Sequence, residues 1–164
     1  MRVPEIDKKL GMECYLTKTP GIGGKIRVYV KDFIVEEIGE DGTIFEVGRN
    51  YNIAMGRKNR YLIFLLEKHD MDTFIALNLL AKHLGIDIEG FSLGGIKDKR
   101  AITIQRISVW GVNPEKLLSV KIPGVFIRGC WYSDQKMDPR RILGNRFKIT
   151  IRNVELQRNV SKKY

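Results

Sequence analysis

The feature that constrains the fold most is a change of hydrophobic period in the middle of the chain. Residues 60–68, which contain the uninterrupted apolar run from Tyr61 to Leu66, are predicted to form a long strand. From residue 72 onward the apolar side chains recur at helical spacing, at Phe74, Leu77, Ala81 and Leu84. Asp70 or Asp72 can serve as the N-cap of this helix, and Gly85 ends it. A strict strand–helix–strand repeat does not continue on either side, so a purely parallel sheet is not expected.

Most of the remaining chain consists of short extended segments separated by turns. Alternation from Lys25 to Lys31 predicts a half-buried strand with Arg27 on its polar face. Further strands are predicted at residues 33–38, 43–47, 91–94, 103–110, 125–132 and 146–154, and a second helix at 113–120. Residues 1–24 are expected to form an irregular lead-in. The sequence thus predicts an α+β portion, residues 1–164, with helices packed on a mixed, mainly antiparallel sheet.

The charge of the chain favours a polyanionic partner. The formal net charge is +10, and residues 121–164 hold eleven basic and three acidic side chains, whereas residues 1–40 hold seven of each. A basic face of this kind is typical of nucleic-acid binding, although a basic surface that serves only solubility would look the same.

Membrane proteins and zinc proteins are not expected from this sequence. The longest apolar run, Tyr61 to Leu66, is too short to span a bilayer, and the first residues lack a secretory pattern. Cys14 and Cys130 are far apart and form no metal-ligand spacing with the two histidines. Because free thiols fit a reducing compartment, a cytoplasmic location without membrane contact is expected.

The segment from Gly94 to Gln105 carries the strongest chemical signal. Asp98 lies between Lys97 and Lys99, and Arg100 follows. Basic neighbours favour the ionised form of a carboxylate, which can then act as a nucleophile or a general base. The same cations could instead hold a phosphate backbone, or the segment could be an ordinary charged turn between two strands.

This segment resembles the signature of the TruD-type pseudouridine synthases, G-x-K-D-(K/R)-x-A-x-T-x-Q. Two further blocks resemble those of the family in the same order: residues 27–38, RVYVKDFIVEEI, and residues 144–147, GNRF. The resemblance covers roughly residues 20–155. A later family block of the type N-Y-F-G-x-Q-R-F-G has no counterpart in this sequence, so we expect an N-terminal portion of the catalytic fold.

The resemblance implies a role for each matching residue. Asp98 would be the catalytic aspartate that attacks a uridine or removes a proton from its sugar, and Arg27 would face its carboxylate. Phe147 would be a platform for the flipped base, and Asn145 would order the site. Lys97, Lys99 and Arg100 would contact the RNA. The family's substrate is tRNA, usually a uridine at position 13, and the reaction needs neither a metal nor an organic cofactor.

Several alternatives remain open at the level of sequence. Phe147 shares a predicted strand face with Ile149 and Ile151, so it could belong to the core. The chain could be a non-catalytic RNA-binding fragment that needs a C-terminal half, or a basic module that binds a protein. Three further aromatic residues are candidates for stacking on RNA bases, although most such residues are core or rim: Trp110, Trp131 and Tyr132.

Overall fold

A computed structural model describes residues 3–16 and 22–154 of the chain. The described residues before Ile26 and after Thr150 form one compact unit, and Ile26–Thr150 form another. The smaller unit contains helix α1 (Glu5–Lys9), within the segment that the sequence predicts to be irregular. In the same unit Lys25 and Arg152 exchange backbone hydrogen bonds of 2.7 and 2.8 Å. The larger unit contains every candidate site residue.

The larger unit is built on one sheet. In chain order its strands are β1 (Phe33–Gly39), β2 (Tyr61–His69), β3 (Phe91–Leu93), β4 (Ile102–Trp110), β5 (Val125–Ser133) and β6 (Ile142–Ile149). They lie in the order β5-β2-β4-β1-β6, and β3 pairs with the end of β4. Among the described strands, β1 and β4 are parallel and the other pairs are antiparallel. The predicted α+β class with a mixed, mainly antiparallel sheet is confirmed.

Helix α2 (Thr73–Leu84) covers one face of this sheet, and a short helix α3 (Pro114–Leu118) follows β4. The Asp72 carboxylate caps α2 by accepting a 2.8 Å hydrogen bond from the Phe74 amide, and Gly85 ends the helix at φ 68°. Each large apolar side chain buried here contributes about 1.5–3 kcal/mol. The core between α2, β2 and β4 includes Ala76, Leu77, Leu80, Leu62, Phe64, Leu66, Ile107 and Val109.

Three strand predictions differ from the structure. Residues 26–31 are not a strand, because Arg27 has φ 57° and a 3₁₀ turn forms at Val30–Asp32, where the Tyr29 amide donates to the Asp32 carboxylate at 2.9 Å. Residues 43–47 contribute an isolated bridge between Ile38 and Ile44. The last strand covers Ile142–Ile149 rather than 146–154, because its first residues pair with the end of β1.

The register of the sheet gathers the polar side chains of four strands on the face that α2 partly covers. Val35 pairs with both Phe147 and Thr103, Thr103 pairs with Lys68, and Glu37 pairs with Asn145. Since directly paired residues share a face, these side chains lie above the same region of the sheet. In residues 3–16 and 22–154, no helix is long and apolar enough to cross a membrane.

Candidate active site

Asp98 lies in the loop that connects β3 to β4, and three elements hold this loop in place. Lys68 at the end of β2 donates from Nζ to the backbone oxygen of Asp98 at 2.7 Å and to that of Lys97 at 3.4 Å. The Thr73 hydroxyl, in the first turn of α2, accepts from the Lys97 amide at 3.3 Å. Gln105 of β4 donates from Nε2 to the Gly95 oxygen at 3.0 Å. The backbone around Asp98 is therefore fixed by side chains from β2, α2 and β4.

Lys68 is the most unusual of these supports. Its side chain is 0% exposed, although it carries an amine. Burial lowers the pKa of Lys68 from 10.5 to about 8, and the nearby carboxylates of Asp72 and Asp98 offset part of this effect. The amine is therefore still mostly protonated at neutral pH, and its positive charge lies directly beneath the aspartate loop.

The Asp98 carboxylate itself is held by Arg27. Arg27 donates from Nη2 to Oδ1 of Asp98 at 2.6 Å, and the two side chains are 34% and 33% exposed. The guanidinium also lies 3.8 Å from the centre of the Phe33 ring, within the range of a cation–π contact. Arg27 adopts φ 57°, which costs a non-glycine residue about 1–2 kcal/mol. Backbone strain of this kind persists where surrounding contacts fix the residue, and it is common at functional sites.

Phe147 extends the site with an open aromatic surface. Its ring contacts Phe33 edge to face, with the centroids 5.9 Å apart, and the residue is 51% exposed. Phe33 therefore connects the Arg27 guanidinium to the Phe147 ring. The sequence left open whether Phe147 belongs to the core, and its exposure shows that it does not. A solvent-accessible carboxylate and a solvent-accessible ring thus lie on either side of Arg27 and Phe33.

Lys97 does not contact the Asp98 carboxylate, contrary to what its position in the sequence suggests. Its buried amine donates to Oδ1 of Asn145 at 2.7 Å and lies 3.4 Å from Oε2 of Glu37. Glu37, also buried, accepts from Nε of Arg106 at 2.9 Å. Two cations thus share one buried carboxylate, and this network fixes Asn145 on β6 next to the aspartate loop.

Lys99 and Arg100 are exposed beside Asp98, and neither contacts its carboxylate. The Arg100 guanidinium donates to the Val28 oxygen at 3.5 Å. The structure therefore brings together Asp98 with Arg27, and Lys97 with Asn145, and it leaves Lys99 and Arg100 accessible at the rim. The sequence alone gave Phe33 and Glu37 no role in the site, although both lie in the block of residues 27–38 that resembles the family. It also gave no signal for Lys68, which lies in none of the motifs.

Much of the basic C-terminal charge is paired on the opposite face of the sheet. Arg146 and Lys148 contact the buried Glu36, with Nε of Arg146 at 2.7 Å and Nζ of Lys148 at 3.1 Å, and Arg128 contacts the buried Glu67 at 2.8 Å. Arg140 and Arg141 also form ion pairs with carboxylates. Five of the eleven basic residues after position 120 are thus engaged within the fold, which reduces the charge available to an RNA from this segment.

Comparisons with known proteins agree with the motifs. A family model described as tRNA pseudouridine synthase D (TruD) matches residues 9–163. The chain is 38% identical over 148 residues to a probable tRNA pseudouridine synthase D of Methanococcus vannielii, covering 89% of this chain and 38% of that protein. It is 40% identical over 156 residues to one of Pyrobaculum arsenaticum, covering 93% of this chain and 36% of that protein.

A solved structure extends the agreement to the fold. The crystal structure of a putative tRNA pseudouridine synthase D from Methanosarcina mazei superposes with a TM-score of 0.81 at 32% identity, covering 99% of this chain and 34% of that one. The chain thus spans about a third of the length of the relatives that it matches. Because the family model covers nearly all of the sequence, the chain belongs to the TruD family of tRNA pseudouridine synthases.

Proposed function

We propose that the protein converts a uridine of tRNA, at position 13, to pseudouridine, with Asp98 as its catalytic residue. The observation that carries this proposal is the accessible Asp98 carboxylate, which Arg27 contacts at 2.6 Å. Arg27 in turn packs on the Phe33 ring, and Phe33 contacts the exposed ring of Phe147. The names of the relatives specify both the reaction class and the substrate class.

The reaction requires what this arrangement offers. The bond between C1′ of the ribose and N1 of uracil breaks, the base turns, and a bond forms between C1′ and C5. The C5 proton is then released, and N1 takes up a proton, so that the product is an isomer of the substrate. In our proposal Asp98 attacks the nucleoside or takes a proton from its sugar, and Arg27 orients the carboxylate through its 2.6 Å contact with Oδ1. Phe147 stacks on the flipped uracil, which offsets part of the cost of extracting the base from the RNA.

The exposed cations beside the loop supply contacts to the RNA backbone. Lys99 and Arg100 are accessible next to Asp98, so phosphates that flank the target uridine can reach them without any change in the loop. Each such contact steepens the dependence of log affinity on log salt by about 0.7 for single-stranded RNA. Cys14 and Cys130 are both free, which is compatible with action in the reducing cytoplasm.

The experiment that tests this proposal measures tritium release from tRNA labelled at C5 of uridine. Release reports the chemistry directly, because C5 loses its hydrogen only when the new carbon–carbon bond forms. Asp98→Asn is expected to abolish release and to leave the dissociation constant for tRNA within about threefold of wild type, since a carboxylate makes no attractive contact with phosphates. Lys99→Gln is the matched control, which should weaken binding and retain turnover.

A second function is favoured by one observation, the coverage of about a third of the relatives' length. In that case the chain binds RNA without isomerising it by itself. Binding of tRNA by wild type and by Asp98→Asn, with no tritium release from either, would support this second function and refute catalysis by the chain alone.

A further inference from the structure

A cavity of about 380 Å³ lies at the end of the sheet that is remote from Asp98. Trp110, the last residue of β4, lines it together with Lys58, Arg60 and Tyr132. Thr103 on β4 pairs with Lys68, whose amine contacts the Asp98 backbone, and Trp110 lies seven residues further along the same strand. At about 3.3 Å per residue the cavity is about 23 Å from the aspartate loop. No step of the proposed reaction uses it.

Trp110 differs from the other two aromatic residues that the sequence offers for base stacking. It is 64% exposed, which is unusual for a tryptophan that does not contact a ligand. Trp131, by contrast, stacks on Phe45 with a centroid distance of 6.4 Å and an interplanar angle of 20°. Tyr132 packs partly against the main core and forms one wall of the cavity. The cavity therefore presents one large open π-surface beside a second aromatic wall.

The charge around this cavity favours an anion. Residues 48–66 contain four basic residues and no acidic residue. Lys58 and Arg60 from this segment line the cavity, and none of its lining residues is a carboxylate. Within the described residues neither Lys58 nor Arg60 forms an ion pair, in contrast to the paired arginines of β5 and β6. The Arg60 guanidinium lies 5.4 Å from the Tyr61 ring centre. Because an aromatic ring carries no net charge, this contact does not neutralise the cation, which can still bind a phosphate.

From these observations we propose that the cavity binds an unpaired nucleotide of the substrate RNA, with its base stacked on Trp110 and its phosphate contacted by Lys58 and Arg60. An exposed aromatic ring beside cations is the arrangement that proteins use to bind single-stranded nucleic acid with little sequence preference. This inference rests on the proposed function, because it assigns the cavity to a region of the same RNA about 23 Å from the target uridine.

The test compares binding of a complete tRNA with binding of a short hairpin that carries only the target uridine and its nearest neighbours. In the intact protein, Trp110→Ala is expected to weaken tRNA binding about tenfold, whereas Trp110→Phe, which retains a stacking ring, stays within about threefold of wild type. Both variants should bind the hairpin as wild type does, since the hairpin does not reach the cavity. Lys58→Gln with Arg60→Gln should lower the salt dependence of tRNA binding, and the exposed Lys82→Gln on α2 should not.

The outcomes separate this inference from the proposed function. Unchanged tRNA affinity of Trp110→Ala would overturn the nucleotide site, and so would an equal loss for tRNA and hairpin, because that pattern indicates a general disturbance of the protein. If no substrate releases tritium but Trp110→Ala still weakens only tRNA binding, the isomerase proposal fails and the nucleotide site is supported.

Discussion

Replacing Lys68 by methionine tests the electrostatics beneath the aspartate loop. Lys68 is fully buried, and its pKa is lowered from 10.5 to about 8. Because each pKa unit corresponds to about 1.36 kcal/mol, this lowering means that the charged amine destabilises the folded state by about 3 kcal/mol at neutral pH. The variant loses this cost and also loses a hydrogen bond from a charged donor, worth about 1.5–3 kcal/mol. We therefore expect similar stability of both proteins at pH 7.

The difference in unfolding free energy between wild type and Lys68→Met is expected to depend on pH. Because the pKa is lower in the folded state, the unfolded chain binds more protons between pH 8 and 10.5, so the free energy of unfolding rises with pH in this window. Urea unfolding at pH 7.5 and pH 10 should show the wild type gaining about 2 kcal/mol relative to Lys68→Met. The exposed Lys82→Met should show no such trend. A difference that stays constant across this range would refute the assigned burial and charge of Lys68.

Three further substitutions test the site. Arg27→Gly removes the backbone strain at φ 57°, and this gain offsets the loss of a partly exposed ion pair, so the free energy of unfolding in urea should stay within about 1 kcal/mol of wild type. Tritium release should fall at least tenfold. Unchanged release would exclude a role for the guanidinium. Phe147→Leu should reduce kcat/KM for tRNA by about tenfold through lost stacking, with little change in the thermal midpoint of this half-exposed position. Gly94→Ala should destabilise the loop, because a Cβ there would lie 2.8 Å from the Asp138 oxygen, whereas Gly95→Ala, with no atom within 4 Å, should unfold as wild type does; equal melting curves would contradict this packing.

The sequence predicts elements best where local chemistry and tertiary packing agree. Asp72 and Gly85 mark the ends of α2 because a carboxylate N-cap and a glycine in the left-handed conformation are local requirements of any helix. The strand prediction for residues 26–31 is wrong because alternating apolar and polar residues occur in irregular segments as well as in strands. The turn at Val30–Asp32 depends on the Asp32 carboxylate, and the conformation of Arg27 is fixed by contacts with Asp98 and Phe33, which are distant in sequence or on another element.

In the candidate site, too, the sequence predicts what depends on local motifs and misses what depends on tertiary contacts. Asp98, Asn145 and Phe147 are found through motifs, and the fold brings their segments together across β1, β4 and β6. The sequence places Lys97 next to Asp98, yet its amine contacts Asn145 and Glu37, because a turn directs neighbouring side chains in different directions. Lys68 follows Glu67 just after the apolar run, where a solvated lysine is common, and only the position of the loop above β2 shows why it is buried.

The measurement that tests the central claim most directly is the nucleoside composition of an unmodified tRNA transcript after incubation with the intact protein. Our account predicts pseudouridine at a single position with the wild type, none with Asp98→Asn, and wild-type amounts with Lys99→Gln at saturating tRNA. Pseudouridine formed equally well by Asp98→Asn would contradict the assignment of Asp98 as the catalytic carboxylate.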